Sequence, residues 1–202
     1  MPPCPPGSDP VASDVWLWVH DGHLISLDAS GRLEVARSFD GADILWSRSM
    51  PKRQWHIVRA RGPYVIAADN GLQQVDVFRL ADGQQIGQCR FSQPEAAADR
   101  INLLLFDDVI CGPVSNTEVA AFELAAPGTE RWRAALNGRL SQIFKPAPDL
   151  TAIADYAGQV EIRESSTGKS RGRFTASDCE EGAVDGALID GVLYLIGYFE
   201  RP

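Results

Sequence analysis

Four stretches of the chain repeat one pattern: a β-rich run, a turn closing on glycine, and a second β-rich run. They are HLISLDASGRLEVARSF (23–39), QVDVFRLADGQQIGQCRF (74–91), VAAFELAAPGTERWRAAL (119–136) and QVEIRESSTGKSRGRFTA (159–176). The turn glycines, Gly31, Gly83, Gly128 and Gly168, advance by 52, 45 and 40 residues. A tight hairpin needs a positive φ, which glycine reaches without a Cβ clash. Asp28, Asp82 and Thr167, just ahead of these glycines, are residue types whose side chains bond nearby backbone amides in turns. Recurrence at this period is the mark of an array in which each unit is one small sheet or helix pair. The β-rich composition of the copies selects the sheet.

A further β-rich run precedes each hairpin: VWLWV from Val15, YVIAAD from Tyr64, VICGPV from Val109 and LTAIADY from Leu150. The runs DILWSR, INLLLFD, SQIFK and GALID fall between repeats and are read as fourth strands. One four-stranded sheet cannot bury both of its faces, so the core must lie between stacked neighbours. VLYLIGYF, from Val192, is surplus. The fold class is therefore all-β: a β-propeller-like array of four-stranded antiparallel sheets, about four blades plus one extra strand. It occupies 13–202 as one domain, after a proline-rich, disordered lead-in at 1–12. The extra strand either closes a small ring by pairing with the first blade or belongs to a larger propeller. The alanines of PEAAADRINLLL, Pro94 to Leu105, predict the one helix.

The third copy carries a resemblance. AAFELAAPGTERW is similar to the quinoprotein-type (PQQ-type) propeller repeat, in which a strand ending in A-x-D precedes T-G-x-x-x-W. Ala121, Gly128 and Trp132 match, whereas Leu124 to Pro127 depart from the Asp and Thr. Aligned on the same glycine, the other copies place Val35, Gly87 and Gly172 at the tryptophan position. The tryptophan is then present once in four copies, and the resemblance spans 15–199. It implies that Trp132 packs between blades rather than holding a cofactor. The WD40 signature fits less well, with one Gly-His dipeptide (Gly22-His23) and no Trp-Asp.

The formal net charge of -8 and pI of about 4.9 disfavour a nucleic-acid partner. No apolar run is long enough for a membrane-spanning helix. MPPCPPGSDP has neither the basic nor the apolar region of a secretory signal, so the chain as written is expected in the cytoplasm. An incomplete N-terminus would instead allow the periplasm. Cys4, Cys89, Cys111 and Cys179 have no zinc-ligand spacing; Cys89 and Cys111 sit in apolar runs that suit small buried thiols.

Motifs that carry chemistry are sparse. STGKS (166–170) copies the end of a phosphate loop, but Arg163 stands where the pattern needs glycine, so a hairpin turn is expected. HDGH (20–23) pairs two imidazoles around a carboxylate, although Asp-Gly is above all a hairpin signal. The acidic spots at 39–43, 106–108 and 177–186 lack the alternating oxygen ligands of a calcium loop. Trp16 and Trp18 are read as packing residues of a strand covered on both faces. RSMPKRQWHIVRAR (48–61) is read as a solvated edge strand and loop, within which Trp55 and His56 are the candidate binding residues. No catalytic, cofactor or metal residue is assigned. The expected function is a non-catalytic binding or scaffold module for protein or small-ligand recognition, its partner most often a protein. The alternatives are a fragment of a quinoprotein dehydrogenase, the one case requiring pyrroloquinoline quinone and calcium, or a propeller lipoprotein of the outer-membrane-assembly type.

Overall fold

The computed structural model describes residues 15–28, 30–37, 43–50, 55–69, 72–92, 103–175 and 183–197. Four four-stranded antiparallel sheets follow one another along the chain. The first holds β1 (Val15–His20), β2 (His23–Asp28), β3 (Arg32–Ala36) and β4 (Ile44–Ser49). The second holds β5 (Trp55–Arg61), β6 (Tyr64–Asp69), β7 (Val75–Arg79) and β8 (Gln85–Cys89). The third holds β9 (Leu104–Leu105), β10 (Val109–Ser115), β11 (Glu118–Glu123) and β12 (Glu130–Ala135). The fourth holds β13 (Leu140–Ala147), β14 (Leu150–Asp155), β15 (Gln159–Glu164) and β16 (Ser170–Thr175). A final hairpin pairs β17 (Ala183–Ile189) with β18 (Val192–Gly197). The first strands β1, β5, β9, β13 and β17 adjoin in that order, so each sheet stacks on the next around the inner strands. This is the propeller-like arrangement expected from the repeats.

Alternation along each strand explains the stacking. In β5 and β6, Val58, Ala60, Val65 and Ala67 face the first sheet and pack with Ile25, Leu27, Leu33 and Val35. Ile57, Ile66 and Ala68 face the third sheet and pack with Ile110 and Leu124. A third core joins the third and fourth sheets through Val109, Cys111, Ala121 and Ile153. The fourth is thin: Phe144, Ala152, Ala154 and Val160 are buried beneath the hairpin. A two-stranded cover protects only half of a four-stranded sheet.

The repeat has two turn signals, and this displaces part of the sequence reading by one strand. Gly31 closes the β2–β3 turn, whereas Gly83, Gly128 and Gly168 close turns between third and fourth strands. The counterpart of Gly31 is Gly158. Asp28 Oδ1 accepts the N–H groups of Ser30 and Arg32 at 2.8 and 3.0 Å, and Asp155 Oδ1 those of Ala157 and Gln159 at 3.0 and 2.9 Å. The Ser30 hydroxyl, then the Arg32 amide, hold the Asp28 carboxyl below its usual range. Consequently INLLLFD, SQIFK and GALID do not end their sheets. They supply the first strands β9, β13 and β17, and only DILWSR is a fourth strand. WHIVRAR, read as edge strand and loop, is β5, the full inner strand of the second sheet. The surplus beyond four sheets is a hairpin rather than a single strand. Of the predicted helix, 93–102 lie outside the described residues, and Leu104–Leu105 form β9.

The remaining turns follow their sequence signals. Asp21 and Gly22 take φ of 48° and 73° in the two-residue turn between β1 and β2. STGKS bends β15 into β16, with Gly168 at φ 70° and the Thr167 hydroxyl accepting the Lys169 N–H. Cys89 and Cys111 are free and buried; Cys4 and Cys179 lie outside the described residues.

Candidate functional site

The junctions between sheets show what each sheet demands of its neighbour. On β12, Trp132 pairs with Ala121 of β11 and is 8% exposed. Its indole N–H donates to Ser165 O of the fourth sheet at 2.7 Å. A Cβ on Gly168, three residues further, would lie 2.4 Å from the indole, so only glycine fits beneath the ring. The first junction repeats this. Trp46 on β4 donates to Leu80 O at 2.7 Å, and a Cβ on Gly83 would lie 2.6 Å from its ring. Trp46 pairs with Val35, so it holds the position that the sequence alignment gave to Val35 itself. The docking tryptophan is therefore present twice. The pair Trp46 and Gly83 was legible only if the tryptophan were sought one strand after the Gly31 turn.

The second junction reaches the same density differently. Gly87, paired with Val77, replaces the tryptophan, and Pro127 of the third sheet fills the space. A Cβ on Gly87 would meet Pro127 at 3.2 Å. Phe91 lies against Gly112 and meets Phe122 edge-on at 5.3 Å. At the fourth junction Gly172 pairs with Ile162 in the same register, yet nothing lies within 4 Å of the place its Cβ would occupy. A groove of about 300 Å3 opens there, walled by Leu150, Ile162 and Phe174 of the fourth sheet and Leu188 and Leu193 of the hairpin.

Large apolar side chains are exposed at the two ends of the array. At the first sheet, Leu17 and Val19 of β1 are 61% and 54% exposed, and Ile44 of β4 joins them. Trp18, between them in sequence, points the other way and lies 5.8 Å from the Arg59 guanidinium of the second sheet. The double-faced burial read for this strand thus holds on one face only, because no described sheet covers the other; the Trp16 side chain lies outside the described residues. At the hairpin, Gly186 and Leu195 face Phe144. The alternate residues Ile189, Val192, Tyr194 and Ile196 form an outward face, with Ile196 61% exposed.

The inner strands gather charge. Arg59 donates to Leu103 O at 3.0 Å, and burial pulls its pKa down. Arg61 Nε lies 2.5 Å from Asp107 Oδ1. Lys145 sits 4.6 Å over the Phe106 ring; burial, then the charge of Arg61, pulls its ammonium below the usual lysine range. Each of these links one sheet to the next. His20 Nε2 lies 3.0 Å from Gly62 O of the second sheet, so HDGH also contributes to a junction. Among the described residues, no group of three His, Cys, Asp or Glu side chains comes together. Trp55 and His56 open β5, where Trp55 pairs with Asp69; their side chains lie outside the described residues. No described helix is long and apolar enough to cross a membrane.

No family model matches the chain, and no curated protein matches it. Solved structures do. BamB from Moraxella catarrhalis is 18% identical, with a TM-score of 0.61 over 90% of this chain and 53% of that one. The computationally designed Ika8 protein is 12% identical, with a TM-score of 0.63 over 89% and 54%. The C-terminal WD40 domain of Sif2 is 15% identical, with a TM-score of 0.58 over 81% and 46%. The chain thus spans about half the length of the structures it resembles. The WD40 likeness places the architecture among the propellers.

Proposed function

We propose that the chain is a non-catalytic β-propeller module that binds protein. The observation that carries this reading is the apolar surface at the two ends of the array, above all the outward row Ile189, Val192, Tyr194 and Ile196. Contiguous exposed apolar residues of this kind mark protein contacts. The charged groups of the inner strands support it too, since they are engaged in joining sheets. Cross-linking with mass spectrometry, in an extract of the cells that make the protein, tests the reading. Cross-links from the wild-type chain are expected to converge on one partner and to disappear in Ile196→Asp. A rise in Tm of several degrees on adding pyrroloquinoline quinone and calcium, with dye-linked alcohol oxidation, overturns it in favour of a dehydrogenase fragment.

The blades themselves support a quinoprotein-type assignment. The stacking of Trp46 on Gly83 and Trp132 on Gly168 supplies the inter-blade docking that the T-G-x-x-x-W pattern implies. Such blades also suit a propeller lipoprotein of the outer-membrane-assembly type, a reading that gains support if the identified partner is a membrane-assembly component.

A further inference from the structure

We propose that the free edge of β18, with the groove over Gly172, is a docking site for an extended protein segment that adds to the hairpin as a third strand. This rests on the reading above and deepens it by naming the place and the chemistry. Four sheets have four strands, while the sheet of β17 and β18 has two. Among the described residues nothing pairs with the far side of β18, so that side presents a row of unused backbone N–H and C=O groups. Strand addition satisfies such a row through main-chain bonds, and pockets alongside it supply specificity.

The pocket is defined by register. Trp46, Gly87, Trp132 and Gly172 all pair with the third strand of their sheets, opposite Val35, Val77, Ala121 and Ile162. At three of these positions the volume is filled, twice by the indole and once by Pro127 reaching over Gly87. Gly172 alone is uncovered, above the outer half of the fourth sheet. A strand beside β18 would extend the interface that Leu195 and Gly186 begin against Phe144. The occupant therefore alternates apolar and polar residues and offers a mid-sized apolar side chain, such as proline, next to its turn. A second copy is a poor source, because β1 to β16 are already built into complete sheets. A small apolar ligand fills the groove but leaves the strand edge unpaired.

The hairpin that covers Gly87 in this molecule supplies the probe: a fluorescein-labelled peptide of residues 118–135, EVAAFELAAPGTERWRAA. Fluorescence anisotropy with the full chain is expected to show saturable binding, absent for a scrambled peptide. Gly172→Trp places in the groove the side chain that the first and third sheets carry there, and is expected to weaken binding about tenfold or more with no fall in Tm. Equal binding of the scrambled peptide, no binding, or unchanged affinity in Gly172→Trp overturns the proposal. So does a wild-type dimer in light scattering that becomes monomeric in Gly172→Trp, which would assign the groove to a second copy. None of these outcomes bears on the outward face, because Ile196→Asp probes the opposite side of the hairpin.

Discussion

Trp132 and Gly168 act as one unit: a ring, a missing Cβ beneath it, and one indole N–H to Ser165 O. Trp132→Ala is expected to cost about 3–5 kcal/mol in urea unfolding, as for a large buried aromatic. Gly168→Ala is expected to cost about 1–3 kcal/mol by overpacking, with added strain because the residue sits at φ 70°. The two losses should be strongly non-additive, since the alanine methyl has nothing to strike once the indole is gone. Unchanged stability in Trp132→Ala would remove the packing role. The thiols make a second prediction at this scale. Burial, then the charge of Asp76, pushes Cys89 up to about 12, and burial raises Cys111 further. A reactive cysteine needs the thiolate. Peptide mapping after iodoacetamide at pH 8 should therefore find both unmodified in the native chain and both labelled in denaturant.

Within elements, the fourth sheet offers a pH-dependent test. The Glu161 carboxylate on β15 is 5% exposed and lies 2.8 Å from both Arg163 and Arg173. Burial acts to raise its pKa, but the hydrogen bonds from Arg173 and Ser170 and the two guanidinium charges outweigh burial and leave it lowered. The folded-state pKa thus lies below the unfolded value of about 4.3. The stability it contributes is present above that value and is lost as the pH falls through the folded pKa. Glu161→Gln should destabilise the chain at pH 7 and flatten the fall in stability below about pH 4.3, read by denaturant midpoints at each pH. Strands such as β6 and β14 were legible from sequence because each is a near-continuous apolar run bounded by turn residues. The phase of the repeat was not, because Gly31 and Gly83 obey the same φ requirement at different turns. β5 was missed because Arg59 and Arg61 make WHIVRAR look solvated, although Arg59 spends its charge on Leu103 O and Trp18. Trp132 was legible as a docking residue by resemblance. The groove over Gly172 was not, because a glycine with nothing above it and one beneath a proline read identically.

At the scale of the molecule, stability is distributed over nearest-neighbour junctions. The thin fourth core predicts that the hairpin opens first. Hydrogen exchange should show β17 and β18 exchanging before β6, β10 and β14, whose residues are buried on both faces. Equal protection throughout would contradict the layered account. The exchange of volume between Gly87 and Pro127 has one more consequence. The sheets look like copies, but they are not interchangeable parts. Placed directly after the first sheet, the third would drive Pro127 into the ring of Trp46. Placed directly after the second, the fourth would leave a hole where Gly87 meets Gly168. Sheet order is thus written into the seams as a lock-and-key sequence. A recombinant that shuffles or duplicates units keeps every strand and still loses the fit, unless the residues across the new seam are exchanged together.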